Sequence, residues 1–144
     1  MKAKEYLQQL HKLDTIINQR ISERDDLRRS LTSISSPDFS KERVQGGELP
    51  GEAGFAKTIA KIIDIEAEIN ALIDEYVDKK NFIISQIHGL NDVDEIEVLF
   101  RRYVERYTFE KIAVDLNFSI RNIYFIHGRA LQSFQNKYLI TEQS

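Results

Sequence analysis

The chain has 144 residues, 42% hydrophobic and 30% charged, with a formal net charge of −3 and no cysteine. That length fits one domain, or one small domain plus an extended element. The absence of cysteine excludes disulfides, thiolate metal sites and a cysteine nucleophile, and suits a reducing cytosol. The charged opening Met1-Lys2-Ala3-Lys4-Glu5-Tyr6 lacks the apolar run of a signal peptide. No stretch reaches the ~18 apolar residues of a membrane span. A cytoplasmic protein without membrane contact is therefore expected.

Residues 2–34 predict one long helix. Tyr6, Leu10, Leu13, Ile17, Ile21, Leu27, Leu31 and Ile34 recur in steps close to a heptad, with Arg24 interrupting the stripe. At ~1.5 Å per residue this helix would be roughly 50 Å long. Between about 35 and 52 the pattern stops. Ser35-Ser36-Pro37-Asp38 and Gly46-Gly47-Glu48-Leu49-Pro50-Gly51 supply turn residues, so a long mobile loop is expected there. It lacks the spacing of a phosphate loop.

A second long helix is expected over 53–88. Phe55, Ile59, Ile62, Ile69, Ile73, Tyr76, Ile83 and Ile87 keep a seam that Ile63, Ile65, Leu72, Val77, Phe82 and Ile84 widen. That width exceeds the need of one neighbour. Gly89 stands where a C-cap glycine would. The two helices should pair antiparallel as a coiled-coil-like hairpin over residues 1–91, and the surplus apolar surface suits a homo-oligomer, most simply a dimer.

After Gly89 the elements shorten. Asp92 or Asp94 can cap a helix carrying Ile96, Leu99, Phe100, Tyr103 and Val104, and Arg106-Tyr107 breaks it. Thr108 is an N-cap for a two-turn helix with Phe109, Ile112, Ala113 and Leu116 inward. Asn117-Phe118 makes a tight turn, Asn tolerating left-handed backbone. Ser119 caps a last helix whose inner face is Ile123, Ile126, Ala130, Leu131 and Phe134. The whole predicts an all-α fold, with a small three-helix helix-turn-helix domain over 92–144. The bland alternative is a bundle that merely packs. Ser119–Leu139 holds Arg121, Arg129 and Lys137 and no acidic residue, a local basic face on an acidic chain.

The run Thr108-Phe109-Glu110-Lys111-Ile112-Ala113-Val114-Asp115-Leu116-Asn117-Phe118-Ser119, followed by Ile123 to Arg129-Ala130-Leu131, resembles region 4 of the sigma factors. Leu99-Phe100-Arg101-Arg102-Tyr103 resembles the preceding helix of that region. With Lys4-Glu5-Tyr6-Leu7, Ser33 to Pro37 and Glu42 to Gln45, the chain also resembles the ArpU-type late-transcription regulators of phages and prophages of Gram-positive bacteria. The resemblance implies binding to the major groove of double-stranded DNA, activation of late genes, and contact with RNA polymerase. Carried across, Ile120, Arg121 and Phe125 would meet bases, and Asn122, Tyr124 and Arg129 phosphates. Thr108 and Lys111 would touch phosphates and Ser119 would cap the reading helix. Arg121 can contact guanine bidentately and Asn122 could read adenine, whereas Ile120 and Phe125 can meet only a thymine methyl. That apolar pair departs from sigma-type readers and leaves surface a protein could cover, so a protein-interaction module is the second reading. A purely structural coiled coil is the third.

No catalytic constellation stands out. His11, His88 and His127 match no metal spacing and read as solvated or interfacial helix residues. Asp25-Asp26 and Asp74-Glu75 read as solvated charge. Neither an enzyme nor a cofactor is expected.

Overall fold

A computed structural model describes residues 1–35 and 50–140. Its elements are all helical: α1 (Ala3–Leu7), α2 (Gln9–Ser35), α3 (Pro50–His88), α4 (Val93–Leu99), a π-helical turn (Phe100–Val104), α5 (Phe109–Leu116) and α6 (Ile120–Tyr138). The loop expected over 35–52 falls, except at its ends, outside the described residues. Those ends are helical, at Ser35 and Pro50. The first long helix is jointed at Gln8, although the Gln8 N–H still donates to Lys4 O and the Lys12 N–H to Gln8 O.

The chain forms two compact units, Met1–Asp14 with Glu75–Ser144, and Thr15–Asp74. They do not part at residue 91, where the sequence pattern changes scale. In the second unit α2 and α3 run antiparallel. Ile17, Ile62, Ile65 and Ile69 are buried, and Arg20 and Arg28 pair with Glu68 and Glu66 across the gap. These ion pairs are largely exposed and add little stability. Apolar burial holds the pair together. Ile63, one of the residues that widen the α3 stripe, remains exposed; Ile73, expected on the seam, is exposed too, whereas Ile65, expected beside it, is buried.

The first unit has two cores that share α6. Ile123 and Ile126 close a small core with Val98, Ile112 and Ala113, with Tyr107, Phe109, Leu116 and Phe118 against its edge. Two turns later Ala130 and Phe134 enter a larger core of Ala3, Leu7, Leu10, Ile83, Ile87, Leu90, Leu99 and Tyr103. The chain's N-terminal segment thus completes the interior of the helix-turn-helix unit. Polar contacts fix it there: the Ala3 N–H donates to Gln135 Oε1 at 2.6 Å, and the Tyr6 hydroxyl to Gln86 Oε1 at 2.6 Å.

Helix boundaries follow local chemistry. Of the two candidate caps for α4, Asp92 is the one used, its carboxylate accepting the Glu95 N–H at 3.0 Å. The helix after it does not stay α-helical. It widens at Phe100, whose carbonyl accepts the Glu105 N–H at 3.1 Å, five residues on. The chain then reverses at Arg106, which sits at φ 64°. Thr108 and Ser119 cap α5 and α6 by accepting from Lys111 N (3.2 Å) and Asn122 N (3.1 Å). Gly89 directly follows the last residue of α3, the helix end expected of it, although it takes no positive φ. A Cβ there would meet the Tyr138 hydroxyl, the far end of a side chain that can shift aside.

Between α5 and α6 the chain turns through Asn117 at φ 58° and ψ 42°. The Phe118 N–H donates to Ala113 O and the Asn117 N–H to Val114 O, the paired bonds of a Schellman ending. Asn117→Ala should therefore cost about 1–2 kcal/mol through left-handed strain, whereas Asn117→Gly should be tolerated. Urea unfolding of the two variants checks this. Equal stabilities would contradict it.

Candidate nucleic-acid interface

The candidate site is the N-terminal turn of α6, backed by α5. Buried Ile123 and Ile126 fix the rotation of α6, so the residues between them turn outward. Ile120, Tyr124 and Phe125 are 38%, 51% and 63% exposed, and Arg121 is exposed beside them. Arg121 has no ion-pair partner among the described residues, which leaves its guanidinium available to a ligand. Asn122 is half-buried. At the start of α5, Thr108 and Lys111 are exposed, with Lys111 Nζ 3.3 Å from Asp115 and 4.7 Å over the Tyr107 ring. The Phe109 ring links the two helices, its centroid 5.0 Å from that of Tyr124. Eight of the nine residues singled out by resemblance thus gather on or beside one face, with Ser119 acting as the cap.

Arg129 stands apart, paired to carboxylates on another helix. Its Nε lies 3.1 Å from Glu95 Oε1, its terminal nitrogen 3.4 Å from Asp92, and its guanidinium 5.7 Å from the centre of the Phe125 ring. Glu95 is buried, and Ser133 Oγ donates to the same carboxylate oxygen at 3.0 Å. A buried carboxylate must be paired, so Arg129 holds α6 against α4 through Glu95. Its partner lies 34 residues away. No local pattern could have revealed it.

His127 takes the interfacial of the two placements expected for it, between α6 and the elements carrying Tyr103 and Phe109. Its Nε2 shares a 2.7 Å hydrogen bond with the Tyr103 hydroxyl, and its ring meets Phe109 edge-on at 4.9 Å. Burial, reinforced by the positive charges of Arg102 and Lys4, pushes its pKa down to about 4. Burial likewise pushes the Tyr103 hydroxyl up to about 12, against the pull of Arg102. The pair is neutral at pH 7. Because the unfolded imidazole titrates near ~6.5, the unfolded chain takes the proton first. The stability this site contributes is full above about pH 6.5 and drains away as pH falls toward about 4. Thermal melts at about pH 7.5 and about pH 5 should show a loss that His127→Gln reduces. An identical loss in the variant would contradict the assignment.

Arg101 and Arg102, noted only for their likeness to a sigma helix, have structural partners. Arg101 pairs with Glu97 at 2.9 Å and Asp115 at 3.5 Å. Arg102 donates to Tyr107 O at 3.1 Å and covers the Phe109 ring at 4.2 Å. Among the described residues no cluster of side chains is arranged to hold a metal ion, and no helix is long and apolar enough to cross a membrane.

No curated protein and no solved structure matches the chain. One family does, its match running from residue 33 to residue 135 and so taking in α3, α4, α5 and most of α6. The match covers well over half of the sequence, and the chain belongs to that family, described as a protein of unknown function (DUF1492).

Proposed function

We propose that the chain is a DNA-binding transcription regulator that lays the first turns of α6 in the major groove. The observation that carries this reading is the outward face of Ile120, Arg121, Tyr124 and Phe125, held in register by the buried Ile123 and Ile126. Arg121 reads guanine, Ile120 and Phe125 meet thymine methyls, and Thr108 and Lys111 steady the phosphates. The sigma-region-4 resemblance adds the class of regulator: a phage or prophage activator of late genes that works with RNA polymerase. A second copy covering Ile63 and Ile73 of the second unit would double a weakly basic reader.

The exposed aromatic pair Tyr124 and Phe125 favours a second reading, a helix-turn-helix fold that docks on RNA polymerase or another regulator without reading DNA itself. Duplexes selected from a random pool separate the two. On such a duplex, Arg121→Ala should cost about 1–3 kcal/mol and relax preference at one base pair. Unchanged affinity and preference would remove Arg121 from the reading face. Failure to enrich any duplex would favour the docking module.

A further inference from the structure

Beside the reading face lies a pocket of about 190 Å³ lined by Leu7, Gln8, His11, Arg102, Tyr103 and Arg106. Leu7 and the Tyr103 ring contribute apolar lining, and two guanidiniums, an imidazole and a primary amide complete it. Asp14 opposes them through its ion pair with Arg106. Glu105, next in sequence, instead hydrogen-bonds Tyr107 and acts on Arg101. The local balance is cationic on a chain of net charge −3. Lys4 adds to it, since both Lys4 and Arg102 reach His127 electrostatically.

The pocket is tied to the reading face by contact. Arg102 covers Phe109, whose ring touches the exposed Tyr124. Arg106 is itself left-handed, at φ 64°, two residues before the Thr108 cap of α5. A guanidinium is weakly hydrated and its donors match phosphate oxygens, so two of them beside apolar lining suit a phosphate better than a carbonyl or a water.

We infer that this pocket takes a backbone phosphate of the same duplex whose major groove receives α6. The inference depends on the DNA-binding reading and extends it: the footprint includes the N-terminal segment of the chain, through Gln8 and His11. Arg106 is the ligand of first importance, and Asp14 is a built-in competitor for it. Contacts of this kind position the protein and carry no sequence information.

The test is a salt titration of duplex binding by the full chain. Each phosphate neutralised contributes about 0.9 to the slope of log affinity against log salt. Arg106→Gln should lower that slope by about 1, equally on a selected and a scrambled duplex. Asp14→Asn should tighten binding on both, because it releases the guanidinium. A structural role for the Arg106–Asp14 pair predicts the opposite, with both variants weakening binding alike, and that result would overturn the inference. So would an unchanged slope in Arg106→Gln while the unaltered chain binds, leaving the α6 reading intact. Absence of any salt-dependent duplex binding would sink both. Inorganic phosphate is the remaining arm. A thermal stabilisation by phosphate that Arg106→Gln abolishes, with no change on duplexes, would make the occupant a free anion and overturn the duplex assignment.

Discussion

Arg129→Ala should destabilise the first unit by about 3 kcal/mol, because it strands a buried carboxylate. Glu95 gives one oxygen to both Arg129 and Ser133, while its own N–H is spent on the Asp92 cap. Removing the guanidinium leaves that oxygen with a hydroxyl alone. The low end of the usual range applies, since Arg129 itself is partly exposed and water can enter. Glu95→Gln in the same background should recover part of the loss, because a neutral amide tolerates the site better. Urea unfolding of the two single variants and the double variant measures the coupling directly. The Arg121→Ala chain should unfold like the unaltered one. If Arg129→Ala also did so, Arg129 would return to the list of free cations. The contrast has a practical consequence: loss of DNA binding in Arg129→Ala would report folding, not recognition.

Leu7→Ala should cost a similar amount, about 3 kcal/mol, although Leu7 lies far from the helix-turn-helix in sequence. It is fully buried among Leu10, Ile83, Ile87, Leu99, Tyr103 and Phe134. Truncation opens a cavity at the joint where α1 and the end of α3 meet α6. Amide exchange should rise along α6, not only in α1. A loss confined to residues 1–14 would mean that the N-terminal segment decorates the unit without completing it. By the same burial, a fragment beginning at 92 should expose Leu99, Tyr103, Ala130 and Phe134 and keep only the smaller core around Ile112, Ile123 and Ile126.

The helix-turn-helix was legible from sequence because its signals are local. Thr108, Asn117 and Ser119 each act within three or four residues, and the inward positions of α5 and α6 recur at helical spacing. The all-α class was legible for the same reason, as was the surplus apolar surface of α3. What escaped depends on long-range contact. Nothing near Leu7 announces Phe134, so the unit boundary could not be placed from a change in helix length. Gly89 was expected to end the second long helix, and α3 does end at His88; its neighbour Tyr138, on α6, was not foreseeable. His127 was read from its neighbours in sequence, whereas its partner Tyr103 is 24 residues earlier. In the candidate site, Ile120, Arg121, Tyr124 and Phe125 were singled out by the resemblance, and the inward spacing of Ile123, Ile126 and Ala130 is what turns them outward. The diversion of Arg129 and the cationic pocket of Arg102 and Arg106 did not, since each needs two elements brought together.

Backbone amide shifts on adding a selected duplex show whether the first turns of α6 meet DNA. The largest changes are expected at 119–125, with a second group at 108–111 and little change along α3. Shifts centred on α3, or none at a duplex concentration that saturates binding, would contradict that contact.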